Sequence, residues 1–343
     1  STAIASDGTL WTWGLGTTGQ LGDNTAITRS TLAQVSGGGS WTSVNAGNSY
    51  AAAINNLGLL YTWGQNTGGQ LGTGDAIVRS APIQIGTSSW TQASVGNQTW
   101  ASTLMAIRSD GSLFGSGYGP GGQLGDMTAV TKSSPILVRS ATYSSSPILV
   151  TTGSWTQAAA GQSFSTAIRQ DGTLWTWGLN NLGQLGDGTS IIRSTLAQIS
   201  VGGSWSSVKA ANSTAFAISN TNLLYGWGQQ AVGQLNIGGT GTDTLARSAA
   251  VQIGTSSWNS ITANISGVAA IRSDGLMFTW GVGTNGVIGD NTTITKSSPT
   301  LVSNINQNTL SPTLLPTGAS WSSISAGQSF SLGLRTDSTL YAW

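Results

Sequence analysis

Apolar and polar positions along this chain change over strand-length stretches, not helical turns. The clearest stretch runs from residue 154 to residue 199. Trp155 opens a first strand that ends at Ala160-Gly161. Ser163 to Arg169 alternates and predicts a second strand, carrying Ala167-Ile168. Asp171-Gly172 predicts a tight hairpin, because Gly accepts the positive φ such turns need. Leu174-Trp175-Thr176-Trp177 predicts a third strand. A Gly183-Gln184-Leu185-Gly186 loop and a last strand, Thr195 to Ile199, complete the unit. Four short antiparallel strands per unit predict a propeller blade.

The unit recurs at a period near 50 residues. Trp-Gly, a short gap and Gly-Gln-Leu-Gly appear at Trp13 to Gly22 and at Trp63 to Gly72. They continue at Gly122 to Gly125, Trp177 to Gly186 and Trp227 to Leu235, with a degraded copy at Trp280 to Gly289. Such units bury their apolar faces against neighbours. The third strand repeats place by place. Leu10, Leu60, Leu113, Leu174, Leu224, Met277 and Leu340 share the first place, and an aromatic residue fills the second. A small residue always fills the third, and Trp the fourth, except at Ser116. A second Trp set, Trp41, Trp90, Trp155, Trp205, Trp258 and Trp321, opens the first strands. Large beside small suits sheets packed face to face, so the Trp residues read as blade packing. A larger repeat lies on top: Trp13 and Trp177, Trp63 and Trp227, and Ser116 and Trp280 are each 164 residues apart. The reading is one domain over 1–343, a duplicated three-blade block (about 1–164 and 165–328) plus a terminal half-blade.

Composition removes most chemistry. The 343 residues contain no His and no Cys, and all 11 acids are Asp. Ser-His-Asp and Cys-His catalysis and the usual zinc sites are excluded, and no cofactor or metal is expected. Charge is 7% with a net of +1, which argues against a nucleic-acid surface. At 38% hydrophobic with 15 Trp, the chain folds. No apolar run is long enough to span a bilayer. Gly14 to Gly19 spells a dinucleotide fingerprint, but no helix is expected to follow it, so the phosphate-binding dipole is missing. Sequons at Asn97, Asn212, Asn264 and Asn291 read as chance in an Asn/Ser/Thr-rich chain.

Nearly every charge is locked to the repeat. Arg29, Arg79, Lys132, Arg193, Arg247 and Lys296 each precede Ser, and each follows an acid: Asp23, Asp75, Asp126, Asp187, Asp243 and Asp290. Periodic acids look like turn and brace residues, not a catalytic pair, so the primary reading is an ion pair within each blade. The sharper one is a ring of cations for an anionic partner. Arg108, Arg169, Arg272 and Arg335, each followed by an Asp two places on, form a second set at the hairpin; only Arg139 and Lys209 stand outside both cation sets. What breaks the repeat is the better guide to binding. Arg139 to Gly153 and Ser303 to Gly318 are insertions expected on opposite sides of the ring. Arg139, Tyr143, Asn304, Ile305, Asn306, Gln307 and Asn308 are the candidate partner contacts.

The Ala-Gly, Asp-Gly-x-Leu, Trp-Gly and Gly-Gln-Leu-Gly order resembles the regulator of chromosome condensation repeat family across essentially the whole chain. That resemblance implies an all-β, seven-bladed propeller of four-stranded antiparallel blades. Seven hairpin-to-Trp segments but six Gly-Gln-Leu-Gly segments predict blades incomplete at both termini, as cuts in a longer chain would leave them. The family spans an exchange factor for a small GTPase, a plant photoreceptor and a secreted β-lactamase inhibitor, so fold does not carry function. The expected role is a non-enzymatic binding or structural propeller whose partner is another protein or copies of itself, with no small-molecule substrate. A phage virion or bacterial surface setting, extracellular or virion-associated, leads. A soluble inhibitor that clamps a partner and a nucleotide exchange factor are the alternatives.

Overall fold

In the computed structural model the described residues are 1–96, 102–138, 154–230, 235, 246–264, 267–283, 288–290, 292–302, 320–326 and 331–342. They form antiparallel β-sheets with no helix, the blades of a β-propeller. The chain divides into two compact units, Ser1–Asn181 with Ser190–Ile199, and Leu182–Thr189 with Ser200–Trp343.

The first unit holds four sheets. Strands β1 (Thr2–Ile4), β2 (Leu10–Gly14) and β3 (Arg29–Gln34) form a three-stranded sheet without a first strand. Complete blades follow: β4 (Trp41–Ala46), β5 (Tyr50–Asn55), β6 (Leu60–Gly64) and β7 (Arg79–Gln84); β8 (Trp90–Val95), β9 (Thr103–Arg108), β10 (Leu113–Gly117) and β11 (Lys132–Leu137); β12 (Trp155–Ala160), β13 (Phe164–Arg169), β14 (Leu174–Gly178) and β15 (Arg193–Ile199). In the second unit, β16 (Trp205–Ala211), β17 (Thr214–Ser219) and β18 (Leu223–Gly228) precede a long β19 (Arg247–Ala263). Strand β19 serves as the last strand of one blade and the first of the next, which β20 (Gly267–Arg272), β21 (Met277–Gly281) and β22 (Lys296–Leu301) complete. A three-stranded sheet of β23 (Trp321–Ala326), β24 (Ser331–Arg335) and β25 (Leu340–Ala342) lacks a fourth strand. There Leu340 is exposed, while its counterparts Leu10, Leu60, Leu113, Leu174, Leu224 and Met277 are buried.

The core lies between sheets. Leu10 and Val35 of the first sheet meet Trp41, Ala51, Ala53 and Trp63 of the second. The same arrangement recurs with Leu113, Val138, Trp155 and Trp177, and in the second unit with Met277, Val302 and Trp321. Trp63, Trp177, Trp227 and Trp280 are fully buried. The indole Nε1 of Trp63 donates to the Gln20 carbonyl at 3.1 Å, Trp177 to Gln123 at 2.8 Å and Trp227 to Gln184 at 3.0 Å. Each of these three Trp residues thus bonds the Gly-Gln-Leu-Gly loop of the preceding blade. The small third place has a polar task too: Thr12 and Thr62 donate their hydroxyls to the Leu21 and Leu71 carbonyls, each at 2.8 Å. Trp100 and Trp343 lie outside the described residues.

The Gly after each Trp has a backbone reason. Gly64 has φ 103° and Gly178 φ 111°, where L side chains are strained. A Cβ on Gly64 would stand 2.5 Å from the Ser49 carbonyl oxygen. At this point the register with the fourth strand shifts, between Thr62 and Gly64 and between Thr176 and Gly178, and the chain leaves the strand for the loop.

Candidate functional site

The connection between third and fourth strands is built alike in successive blades. Asp23 turns the chain by accepting from the Thr25 N–H at 3.1 Å and the Thr25 hydroxyl at 2.7 Å. Its other oxygen takes the Arg29 Nε at 2.9 Å. Asp75 pairs with Arg79 at 2.6 Å, Asp126 with Lys132 at 3.7 Å and Asp290 with Lys296 at 3.0 Å. Asp126 and Asp290 hold Thr128 and Thr292 as Asp23 holds Thr25, and Asp187 holds Thr189. Burial alone would raise the Asp23 carboxyl. The Thr25 hydroxyl, Arg29 guanidinium and Thr25 N–H outweigh it, and the group sits below its usual range. The cations are thus neutralised on the spot, and partly exposed pairs of this kind contribute about 0–1 kcal/mol each.

The brace presents an aliphatic side chain two places before each cation. Ile27, Ile77, Val130 and Ile191 in the first unit and Ile294 in the second are between 54% and 63% exposed. Close approach fixes the backbone beneath them. A Cβ on Gly16 would stand 2.0 Å from the Ile27 carbonyl oxygen, and one on Gly119 would stand 2.1 Å from that of Val130. Val78, Met127 and Ile192 add exposed apolar surface to the same connections. The spacing was legible as an aliphatic residue two places before Arg or Lys once per copy. Their exposure was not, because β-branched residues before a strand read as buried.

The hairpin cations behave differently. Arg108 pairs with Asp110 and lies 5.0 Å from the Phe114 ring centroid; Arg272 pairs with Asp274 at 2.6 Å and lies 4.7 Å from Phe278. Arg169 forms no ion pair with Asp171. Its guanidinium lies 4.4 Å from the Trp175 centroid and 4.9 Å from that of Trp155, while Asp171 takes the Thr173 N–H and hydroxyl. Burial between the rings lowers the Arg169 pKa. Arg193 and Arg247 open β15 and β19. Asp243 lies outside the described residues, as do the insertion residues Arg139, Tyr143, Asn304, Ile305, Asn306, Gln307 and Asn308. Gly14 ends β2 and leads into a turn, not a helix. Among the described residues no cluster of three acids could hold a metal ion, and no helix is long and apolar enough to cross a membrane. The site as built offers apolar contact, paired charge and backbone.

The regulator of chromosome condensation (RCC1) repeat model matches residues 7–54, 58–101, 110–168, 171–218 and 274–334, and a second model of that repeat matches 155–184. The chain belongs to the regulator of chromosome condensation repeat family. It is similar to human WBSCR16, with a TM-score of 0.78 at 19% identity over 98% of this chain and 88% of that one. It is also similar to Prp20p from Saccharomyces cerevisiae, with a TM-score of 0.76 at 16% identity over 100% of this chain and 82% of that one. The yeast RCC1 (Prp20) bound to Kap60 gives 0.76 at 17% identity, over 97% and 78%. At these identities the likeness is one of fold. No curated protein matches the chain.

Proposed function

We propose that this chain is a non-enzymatic propeller that binds another protein through the connections between its third and fourth strands. The observation that carries this reading is the recurrence of an exposed aliphatic at one place in each blade of the first unit, Ile27, Ile77, Val130 and Ile191, beside a cation that is neutralised at Arg29, Arg79 and Lys132. Each is a little over half exposed, so a partner that covers one removes apolar surface worth about 25 cal/mol per Å². The ion pairs beside them leave no net charge at Arg29, Arg79 and Lys132. Solved propellers of this fold include one bound to Kap60 and one described by its binding to Gsp1p and histones, which supports protein as the partner class. The insertions with Arg139, Tyr143 and Asn304 to Asn308 are a second contact within the same proposal. A virion or bacterial surface is its proposed setting, in which the chain would occur at fixed copy number in purified particles.

The test is copurification with the tagged full chain. A partner retained at fixed stoichiometry by the wild type should be lost when Ile27, Ile77, Val130 and Ile191 are all changed to Ser, with the melting temperature unchanged. Undiminished retention would refute this surface. The second reading, a nucleotide exchange factor for a small GTPase, draws support from the family. It predicts faster release of a fluorescent guanine nucleotide from a GTPase, and no acceleration would remove it.

A further inference from the structure

The first strand of a blade has one edge paired to the second strand and one edge free, and free edges need management. In the first unit, the Gly96 N–H is spent on the Thr103 carbonyl and the Gly161 N–H on the Phe164 carbonyl. By alternation, the N–H groups of Val95 and Ala160 point away from the second strand. Each meets an oxygen from the preceding blade. Asn45 Oδ1 accepts from Val95 and Ser94 Oγ from Ala160, both at 3.3 Å. Asn45 and Ser94 hold the same place in their strands, four residues after Trp41 and Trp90.

The second unit repeats this geometry with a different residue. Four residues after Trp205 comes Lys209, and the matching N–H on the next first strand is that of Ala263. The Asn264 N–H is spent on the Gly267 carbonyl at 2.9 Å, so the Ala263 N–H points to the free edge as Val95 and Ala160 do. An ammonium has three donors and no lone pair, so Lys209 cannot take the place of Asn45 or Ser94. Among the described residues no oxygen caps Ala263, and no acid pairs with Lys209. The chain's other lysines, Lys132 and Lys296, both sit on Asp. The Lys209 side chain is open to solvent, yet protein packed around it lowers its ammonium pKa by desolvation.

We infer that Lys209 and the Ala263 N–H form a binding site for a small oxyanion, a phosphate or a carboxylate. One donor is charged and one is backbone, and a single anionic oxygen pair satisfies both. The test uses the full chain labelled with 15N, titrated with inorganic phosphate, acetate or chloride at constant ionic strength. The expected result is a saturable shift of the Ala263 amide with phosphate or acetate and none with chloride; the anion that saturates at lower concentration identifies the source. Lys209→Gln should weaken the response at least tenfold. Lys209→Asn restores a side-chain oxygen at this place, so it should abolish the response while melting no lower than wild type without anion. An unshifted Ala263 amide, an equal shift with chloride, or a wild-type response from Lys209→Asn would overturn the assignment.

Discussion

Replacing Trp63 by Ala removes one complete inter-blade contact. Its indole is fully buried, 6.1 Å from the Trp41 ring and packed with Leu10, Val35, Ala51 and Ala53. Truncating such a side chain costs about 3–5 kcal/mol for lost transfer and residual cavity. The Gln20 carbonyl also loses its 3.1 Å donor, which adds about 1 kcal/mol. The sum is about 4–6 kcal/mol. With a urea m-value of about 3 kcal/mol/M for a chain of this size, the midpoint should fall by about 1.3–2 M. Trp63→Phe keeps most of the ring and loses the N–H, and should cost about 1–3 kcal/mol. Urea titrations followed by far-ultraviolet circular dichroism read both variants. A Trp63→Ala midpoint within about 0.3 M of wild type would refute the claim that the repeated Trp carries the packing.

The third blade supplies the converse experiment. A Cβ on Gly72 would stand 3.1 Å from Ser116 Oγ, and Gln70 Cα lies 3.2 Å from where a Gly117 Cβ would be, so the loop has closed over the small side chain. Ser116→Trp should therefore destabilise by about 1–3 kcal/mol despite restoring the repeat, and a rise in melting temperature would contradict this. Gly64→Ala forces a Cβ into the Ser49 carbonyl at φ 103° and should cost more than about 1 kcal/mol, read as a lower denaturation midpoint. Because the folded Asp23 carboxyl lies below its unfolded range, its contribution is present above about pH 4 and is lost as pH falls through the folded value. Asp23→Asn should melt below wild type at pH 6, and the gap should close toward pH 2. A gap that widens in acid would show the opposite sign.

The fold was legible because packing and sequence share one period. Trp63-Gly64, Trp177-Gly178, Trp227-Gly228 and Trp280-Gly281 each mark a buried indole and a backbone turn that only Gly enters easily, and the four strands of residues 154–199 fall within a few residues of the predicted bounds. The charge pairs were legible by spacing, and Asp23–Arg29 and Asp290–Lys296 form as the periodic acids implied. Arg169 was not, because its choice between Asp171 and two indoles depends on Trp155, which arrives from another strand. The exposed aliphatics were hidden for a related reason. Alternation shows that Ile27 and Val130 precede a strand, but the approach of Gly16 and Gly119 decides that they face water. Lys209 looked like one unmatched cation until the hydrogen bonds of Asn45 and Ser94 showed what its place ordinarily does.

Site-specific photo-crosslinking tests the account most directly. A photoreactive residue placed singly at Ile77, at Tyr143 or at Thr173 in the full chain is irradiated with the copurified partner. Crosslinks from Ile77 are the predicted result, with none from the hairpin position Thr173. A partner captured from Thr173 or from Tyr143 alone, with Ile77 silent, would contradict a grip through the connections between third and fourth strands.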